Sequence, residues 1–552
     1  MNKPNFSKYL DYAELTEVLE QMVAENPSLA NLGSIGKSYE GRDIWVVEIT
    51  NSGTGAADEK PAMYIDGNIH AGEVTGSAVC LYTIWYLLSE YGSDPLVTKL
   101  LDKTTFYIIP RVSVDGAEIF LHTPYSLRSS TREYPEVDKR EGLVPEDVDG
   151  NGLILQMRIK DPNGEWKISS KDPRLMTRRE PWDEEGPFYC VYTEGILENS
   201  DADDIKSAPP KWGLDINRNF PANWEPEVKQ YGAGPYPLSE PETRAIAEFV
   251  TSHKNIVGAM AYHTTMGAIL RPCCTIPDEK MPPLDVSMYK TIGQKGTDLT
   301  GYPHISTYED YTRDKSRALK GVLMDWLYEH MGILTFSTEL WDASVRAGNK
   351  LFDESPTYEE AQLNLLKWND RELAGKGFVD WYEFEHPQLG PVELGGWNSK
   401  FTLTNPPPQF LEGECHKNCL FTLYHAACFP ELSVEKVDVT NIGPDLYKVK
   451  ATVVNKGYKP TYGCQKGIEI GRADPVKVVV SGESIEFITG KQSQEIGHLE
   501  GLASSFGRYQ RGARPERSKK LEWVIKAPKS TVLEITAKSK RAGVCVSQIL
   551  LS

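Results

Sequence analysis

Apolar positions recur at helical spacing over residues 11–26, where Leu15, Val18, Leu19 and Met22 mark one face of an opening helix. Residues 44–50, 63–66 and 106–110 are short runs rich in Ile, Val and aromatic side chains that end in turn residues, the pattern of strands. Between the second and third of these lies a helix signal over 76–91, with Ala78, Leu81, Ile84 and Leu87 on one buried face. Strand, helix and strand in alternation predict an α/β fold: a mixed, largely parallel sheet flanked by helices. From about 129 to 210 the periodic runs give way to charges, Pro and Gly, which predicts a long insertion of loops and small sheet elements. Strand and helix signals return over 255–261, 319–329 and 333–340, and 358–373 reads as a helix. The last helix signal, 418–427, stops before Pro430. Beyond Leu432 polar and apolar residues alternate, as in LYKVKATVV and PVKVVV, so an all-β sandwich of about 120 residues is expected there. Two domains follow, residues 1–429 carrying the insertion and residues 430–552. No internal repeat points to a solenoid.

Composition narrows the class. With 552 residues, 40% hydrophobic and 25% charged, the chain has material for a large buried core and is neither disordered nor fibrous. Lys and Arg number 60 against 78 Asp and Glu, a formal charge of -18. No long basic cluster forms a phosphate-tracking patch, so nucleic acid is not an expected partner. The basic run at 508–520, RYQRGARPERSKK, is short enough to be a solvated loop. No membrane span or secretory leader is visible. Nine Cys, sparse and odd in number, fit reduced thiols better than a disulfide framework, and a cytoplasmic location is the expectation. Oligomeric state is not legible.

The stretch Asp66-Gly67-Asn68-Ile69-His70-Ala71-Gly72-Glu73 follows a predicted strand and precedes a helix, the turn where α/β sheets place ligands. Imidazole and carboxylate are both zinc donors, and a catalytic zinc takes three protein ligands and keeps one position open. Taken alone, His70-x-x-Glu73 also fits a helix-capping Glu beside a surface His. Among ten His, His263 stands out because the apolar run Ala259-Met260-Ala261-Tyr262 delivers it to a polar turn, repeating the first arrangement. The others sit in charged, loop or helical contexts, where a solvated or hydrogen-bonded ring is the default. Glu339 lies inside an apolar, strand-like run, where an acid is costly unless it has a task. Arg218, in the compact stretch Gly213 to Pro221, suits bidentate capture of a carboxylate or a structural salt bridge with Asp215.

Together these motifs resemble the zinc carboxypeptidase family, the carboxypeptidase A-like metallopeptidases, over about residues 8–345. The resemblance implies that His70, Glu73 and His263 hold one Zn²⁺ and that Glu339 is the general base. In Asn217-Arg218-Asn219-Phe220 it implies that Asn217 and Arg218 hold the terminal carboxylate of a substrate. PRVSVDG, Pro110 to Gly116, is similar to the family's Asn-Pro-Asp-Gly stretch with Ser113 and Val114 in place of Asn and Pro. Counting on from Gly116, Arg128 falls where the family keeps the Arg that polarises the scissile carbonyl. Asp325-Trp326 matches the family's Asp-Trp, and Met324 before it resembles the floor of the specificity pocket, where an apolar side chain disfavours a basic terminal residue. The implied activity is removal of a C-terminal residue from peptides with a free carboxylate.

The chain also departs from that pattern. Gly72 stands where many members carry a substrate-binding Arg, and the family's mobile Tyr falls on Arg317, with Tyr308 or Tyr311 able to replace it through a loop shift. The step from Arg128 to Asn217 is longer than usual, so the insertion is expected to build part of the cleft wall. The C-terminal sandwich resembles accessory β domains of some members. Two other functions stay open: hydrolysis of a non-standard amide, such as a γ-glutamyl or cell-wall peptide bond or an N-acyl amino acid, and a non-catalytic binding protein with a vestigial metal site. Within the insertion, Asp147-Val148-Asp149-Gly150-Asn151-Gly152 matches the start of a calcium loop, with Asp147, Asp149 and Asn151 as donors of a candidate Ca²⁺ site. The twelfth position is Arg158 rather than Glu, and a plain Asx-turn is the competing reading. Cys415-His416-x-x-Cys419 lacks a partner pair at ligand spacing and, like Cys273 and Cys274, reads as buried packing. No Gly-x-Ser-x-Gly elbow, phosphate loop or dinucleotide fingerprint is present.

Overall fold

Strands that are apolar along their whole length need cover on both faces. Ala62–Gly67 and Ile256–Thr264 are buried at every position, and they lie side by side at the centre of an eight-stranded sheet. The computed structural model describes residues 2–137, 139–201, 205–351, 356–505 and 515–552. From edge to edge the sheet runs Ala30–Lys37, Asp43–Ile49, Thr105–Ile109, Ala62–Gly67, Ile256–Thr264, Leu334–Leu340, Ala268–Arg271 and His304–Ser306. The central four strands are mutually parallel, and antiparallel pairings flank them on both sides.

Alternate residues of those strands feed two cores. Met63, Ile65, Ile108, Met260 and Phe336 pack under the helices Tyr12–Glu25, Thr75–Glu90, Pro283–Thr300 and Pro408–Ala427. Tyr64, Tyr107 and Ala259 face the helices Pro241–Ser252 and Leu323–Glu329. Each large apolar side chain so buried contributes roughly 1.5–3 kcal/mol. Helix Pro408–Ala427 begins well before the stretch that periodicity marks. It buries Leu411, Glu414, Cys415, Asn418, Cys419 and Phe421 on several sides, so no single apolar stripe betrays it. Pro283–Thr300 escapes the pattern too, because Gly293 and Gly296 let the His304 and Phe421 rings approach the helix backbone where an apolar side chain would otherwise be expected.

The insertion forms a two-stranded ribbon, Gly142–Pro145 with Gly195–Glu198, and supplies four strands of a six-stranded antiparallel sheet. The other two strands, Phe378–His386 and Gly390–Trp397, come from much later in the chain and join through Gly390–Trp397 against Gln156–Lys160. The calcium expectation gains no support. Asp147, Asp149 and Glu194 do converge, with ligand atoms within 4.8 Å of one another. Their oxygens are nevertheless engaged: Asp147 accepts from the amides of Gly150, Asn151 and Gly152, and Glu194 from those of Val148 and Leu155. Asp149 accepts from the Asn151 amide and the Tyr382 hydroxyl, Asn151 accepts from the Leu153 amide, and Arg158 is spent on Glu393. The bonds that Asp147, Asp149 and Asn151 make to backbone amides are those of Asx-turns, and the loop lacks its bidentate twelfth ligand.

Among the described residues, the strands from Leu432 to Leu550 build two four-stranded antiparallel sheets that share a core of Val449, Val453, Val478, Trp523, Ile525 and Ile535. Of the basic run at 508–520, residues 508–514 lie outside the described residues, and Ser518–Lys526 is a strand. All nine cysteines are unpaired thiols, Cys415 and Cys419 buried in their helix. Among the described residues no helix is long and apolar enough to cross a membrane.

Buried polar groups join the C-terminal sheets to the central one. Arg541 donates to the carbonyls of Gly332 and Met331, at 2.6 and 2.7 Å, and Asp285 accepts from the amides of Gln465 and Lys466. Gly332, at φ +63, must be glycine for a second reason, since a Cβ there would meet the Gly467 backbone at 2.4 Å. Lys459, fully buried, places its Nζ 2.9 Å from His425 Nε2 and 3.3 Å from the Val257 carbonyl. Burial pushes the Lys459 ammonium down to about 7, with Cys428 and Cys464 acting weakly the other way. An unfolded Lys keeps its proton to about pH 10.4. Between those values the unfolded chain binds a proton that the folded chain does not, so stability rises with pH across the window. Replacing Lys459→Met is expected to flatten the pH dependence of Tm between about 7 and 10; an unchanged slope in thermal melts would refute the assignment.

Candidate active site

Parallel pairing brings the carboxyl ends of three strands together. Tyr262 lies opposite Gly67 and His263 opposite Glu339, so the register alone sets His263 between the first strand's turn and the acid of the third. Gly67 and Gly76 let the next helix close on those ends: a Cβ on Gly67 would meet the Gly76 backbone at 2.6 Å. Asn68, at φ 59, turns the chain, and its Nδ2 donates to the carbonyls of His70 and Ala71.

His70, Glu73 and His263 meet in a buried cluster whose ligand atoms lie within 4.8 Å of one another. His70 Nδ1 is 2.8 Å from Glu73 Oε1, His263 Nδ1 is 3.0 Å from Glu73 Oε2, and the two ring nitrogens are 3.1 Å apart. Tetrahedral zinc at about 2.0–2.1 Å from each nitrogen sets two such donors about 3.3 Å apart, so the spacing fits. His70 turns its Nε2–H outward to donate to Asp215 Oδ1 at 3.2 Å, which leaves the Nδ1 lone pair directed inward. Two imidazole nitrogens and one carboxylate suit Zn²⁺ over a hard, oxygen-seeking cation. Burial works to raise the Glu73 carboxyl, but the two rings prevail and hold it well below the ordinary carboxylate range.

Asp215, which sequence reasoning treated only as a salt-bridge partner, ties the site together. Besides His70 it accepts from Arg128 Nε at 2.9 Å and from the Asn217 amide at 2.9 Å, and Arg218 Nη2 stands 3.9 Å away. Burial opposes its charge, yet Arg218, Arg128 and His70 hold it well below the ordinary range. Arg128 also reaches Glu73 Oε1 at 3.3 Å while its side chain stays 43% exposed, so it borders both the cluster and the cleft. Asn217 accepts from the Leu323 amide at 2.9 Å through Oδ1, which leaves its Nδ2 donors to the cleft. That bond also docks the helix carrying Met324, which is buried with Ala268, Leu270, Cys274 and Ile305. Glu339 is raised by burial above the usual carboxylate value, against the pull of His263, His70 and Arg128.

Two departures from the resemblance find physical reasons. A side chain at Gly72 would press on the Phe120 ring at 3.1 Å, so an Arg there, as is common in the family, would require that ring to shift. Arg317 points to solvent at 87% exposure, 3.6 Å from Asp314. Tyr311 instead lies near the cleft: burial raises its phenol, Glu339 raises it further, and Arg218 and Arg128 draw it down.

The arrangement defines a single-metal hydrolytic centre with an acid at its side. Comparisons narrow that class. Residues 15–354, more than half of the chain, match the model of the zinc carboxypeptidase family, and the chain belongs to it. Mast cell carboxypeptidase A of Rattus norvegicus is 26% identical over 377 residues, 65% of this chain and 71% of that one. Carboxypeptidase A2 of Rattus norvegicus is 25% identical over 352 residues, 62% of this chain and 64% of the other. Among solved structures, thrombin activatable fibrinolysis inhibitor aligns over 77% of this chain and 76% of its own at 18% identity, with a TM-score of 0.44. Residues 431–549 match a domain of unknown function, DUF8731.

Because Asp215 fixes the His70 tautomer, Asp215→Asn is expected to weaken zinc binding by about 10- to 100-fold while the fold persists. Titration against a competing chelator, with circular dichroism as control, measures this; wild-type affinity in the variant would remove Asp215 from that role.

Proposed function

We propose that the protein is a metallocarboxypeptidase that hydrolyses the C-terminal peptide bond of substrates with a free carboxylate. The observation that carries the reading is the convergence of His70, Glu73 and His263 beside Glu339, with Arg128, Asn217 and Arg218 joined to them through Asp215. When bound by the three ligands, zinc supplies a Lewis acid that acidifies water and polarises a carbonyl. Glu339, half-buried and raised in proton affinity, takes a proton from the attacking water and delivers it to the departing amine. Arg128, half in the cleft, steadies the negative charge that develops on the carbonyl oxygen. Arg218 and the free Nδ2 of Asn217 receive the terminal carboxylate, Arg218 being kept in place by its own bond to the Asn217 carbonyl at 2.8 Å. Met324 and its apolar neighbours favour an apolar terminal side chain. Tyr308 or Tyr311 replaces the family's mobile Tyr through a loop shift, and the influence of Glu339, Arg218 and Arg128 on the Tyr311 phenol supports Tyr311. Nine unpaired thiols support a reducing compartment such as the cytoplasm.

Glu339→Gln is expected to retain one zinc per chain and to lose about 10²- to 10⁴-fold in turnover. Metal analysis beside mass spectrometry of digested peptides reads both quantities, and an active Gln variant would overturn the assignment of the base. Arg218→Met is expected to raise KM on the order of 100-fold for free-acid peptides. Peptides amidated at the C-terminus should be equally poor for both proteins, and a variant that still prefers the free acid would place the clamp elsewhere.

A further inference from the structure

The insertion, its two flanking segments and residues 398–400 line an open cavity of about 530 Å³, inside the size range of ligand sites. Tyr125, Val144, Pro145, Leu155, Pro210 and Trp212 give it a largely apolar wall, with the Tyr125 and Trp212 rings edge to face at 6.2 Å. Its frame is also that of the active site. Ser126 lines it two positions before Arg128, Trp212 three before Asp215, and the turn Ser399–Thr404 ends at Asn405, which donates to the Gly72 carbonyl at 2.7 Å. The proposed carboxylate clamp, Asn217 with Arg218, is tied instead to the Met324 helix. Ser126 and Trp212 thus tie the cavity to the segments that carry Arg128 and Asp215, and a peptide held by that clamp and crossing the metal ligands would extend past Arg128 toward those segments.

We infer that the cavity receives the part of the substrate upstream of the cleaved bond and selects bulky apolar side chains there. This deepens the proposed carboxypeptidase activity and rests on it. Charge gives no competing preference. Lys211 is paired with Glu133 at 3.0 Å, Glu146 accepts from Tyr125, and Lys400 is spent on the carbonyls of Phe120 and Thr123 at 2.7 and 2.6 Å. Arg140 and Glu198 remain, one charge of each sign. A second hollow of about 370 Å³ shares Leu155, Thr193 and Ser399 with the first and is lined by Trp166, Trp381 and Trp397. The two hollows are therefore contiguous, and the second adds three indole rings to a lining that also holds Gln156, Arg174 and Gln362.

The test uses the full-length zinc-loaded protein and acetylated peptides of about two to five residues that end in one common apolar residue. Leu, Trp, Asp or Lys is placed two or three positions upstream of the cleaved bond. For Leu or Trp, kcat/KM is expected to rise on the order of tenfold with length, and the ratio of long to short substrate to collapse in Trp212→Ala. Leu153→Arg, which introduces a cation into the wall, should move the preference toward Asp. Equal rates for all upstream residues, or an unaltered ratio in both variants, would overturn the inference while leaving carboxypeptidase activity in place. Calorimetric binding of the same peptides to Glu339→Gln separates the remaining cases. Upstream-selective binding without hydrolysis by the wild type would support the cavity and refute the proposed reaction; neither binding nor hydrolysis would refute both.

Discussion

The parallel register of Ala62–Gly67, Ile256–Thr264 and Leu334–Leu340 is the constraint on which the site depends. Side chains alternate across a sheet, so a slip of one residue between the last two strands would carry His263 away from Glu339 and onto the opposite face. That register is held by burial on both sides, with Met260 and Phe336 packed into one core and Ala259 into the other. Precision at the metal ligands is therefore inherited from large apolar layers, not from the polar groups themselves. The Gly67–Gly76 approach completes it, because any bulk there would lift the helix that follows Glu73 away from the strand ends.

A buried group of charges of this density is costly in isolation. Removing a carboxylate from water carries a penalty of several kcal/mol that neighbouring opposite charges have to offset. Asp215 does this for three partners at once, accepting from His70, Arg128 and the Asn217 amide. One carboxylate thus orients His70, Arg128 and the turn that carries Asn217 and Arg218. Glu339 is the exception. Its burial is only partly offset, which is the condition that keeps a carboxylate proton-hungry.

How much of this was legible in the sequence depended on how each element meets its neighbours. The central strands stand out as continuous apolar runs because both their faces are covered, the helices Thr75–Glu90 and Tyr358–Leu373 carry apolar positions at helical spacing, and all of them stand where the pattern predicts. Pro283–Thr300 and the first half of Pro408–Ala427 do not, since buried Gly, Asn, Glu and Cys at their crossings replace the apolar stripe. His70, Glu73, His263 and Glu339 were readable because strand ends announce themselves. Asp215 was readable only as a neighbour of Arg218, and its bond to a ring 145 positions earlier in the chain is a matter of tertiary contact. The pairing of Gly390–Trp397 with the insertion was equally hidden, because strand order leaves no trace in a local pattern.

The two additions to the central sheet act at opposite ends of the same strands. Lys459 bonds the carbonyl of Val257 and Arg541 those of Met331 and Gly332, where Ile256–Thr264 and Leu334–Leu340 begin. The insertion meets the other end, next to Arg128 and Asp215, where ligands of α/β sheets bind. A rigid scaffold with its variable parts gathered at the ligand end is the usual division of labour in enzymes. Here the C-terminal sheets clamp the ends of the strands that do no chemistry, through buried groups that would be left unsatisfied if the two parts separated. They are thereby part of the central sheet's own support, while the insertion stands at the end of the strands where His263 and Glu339 lie.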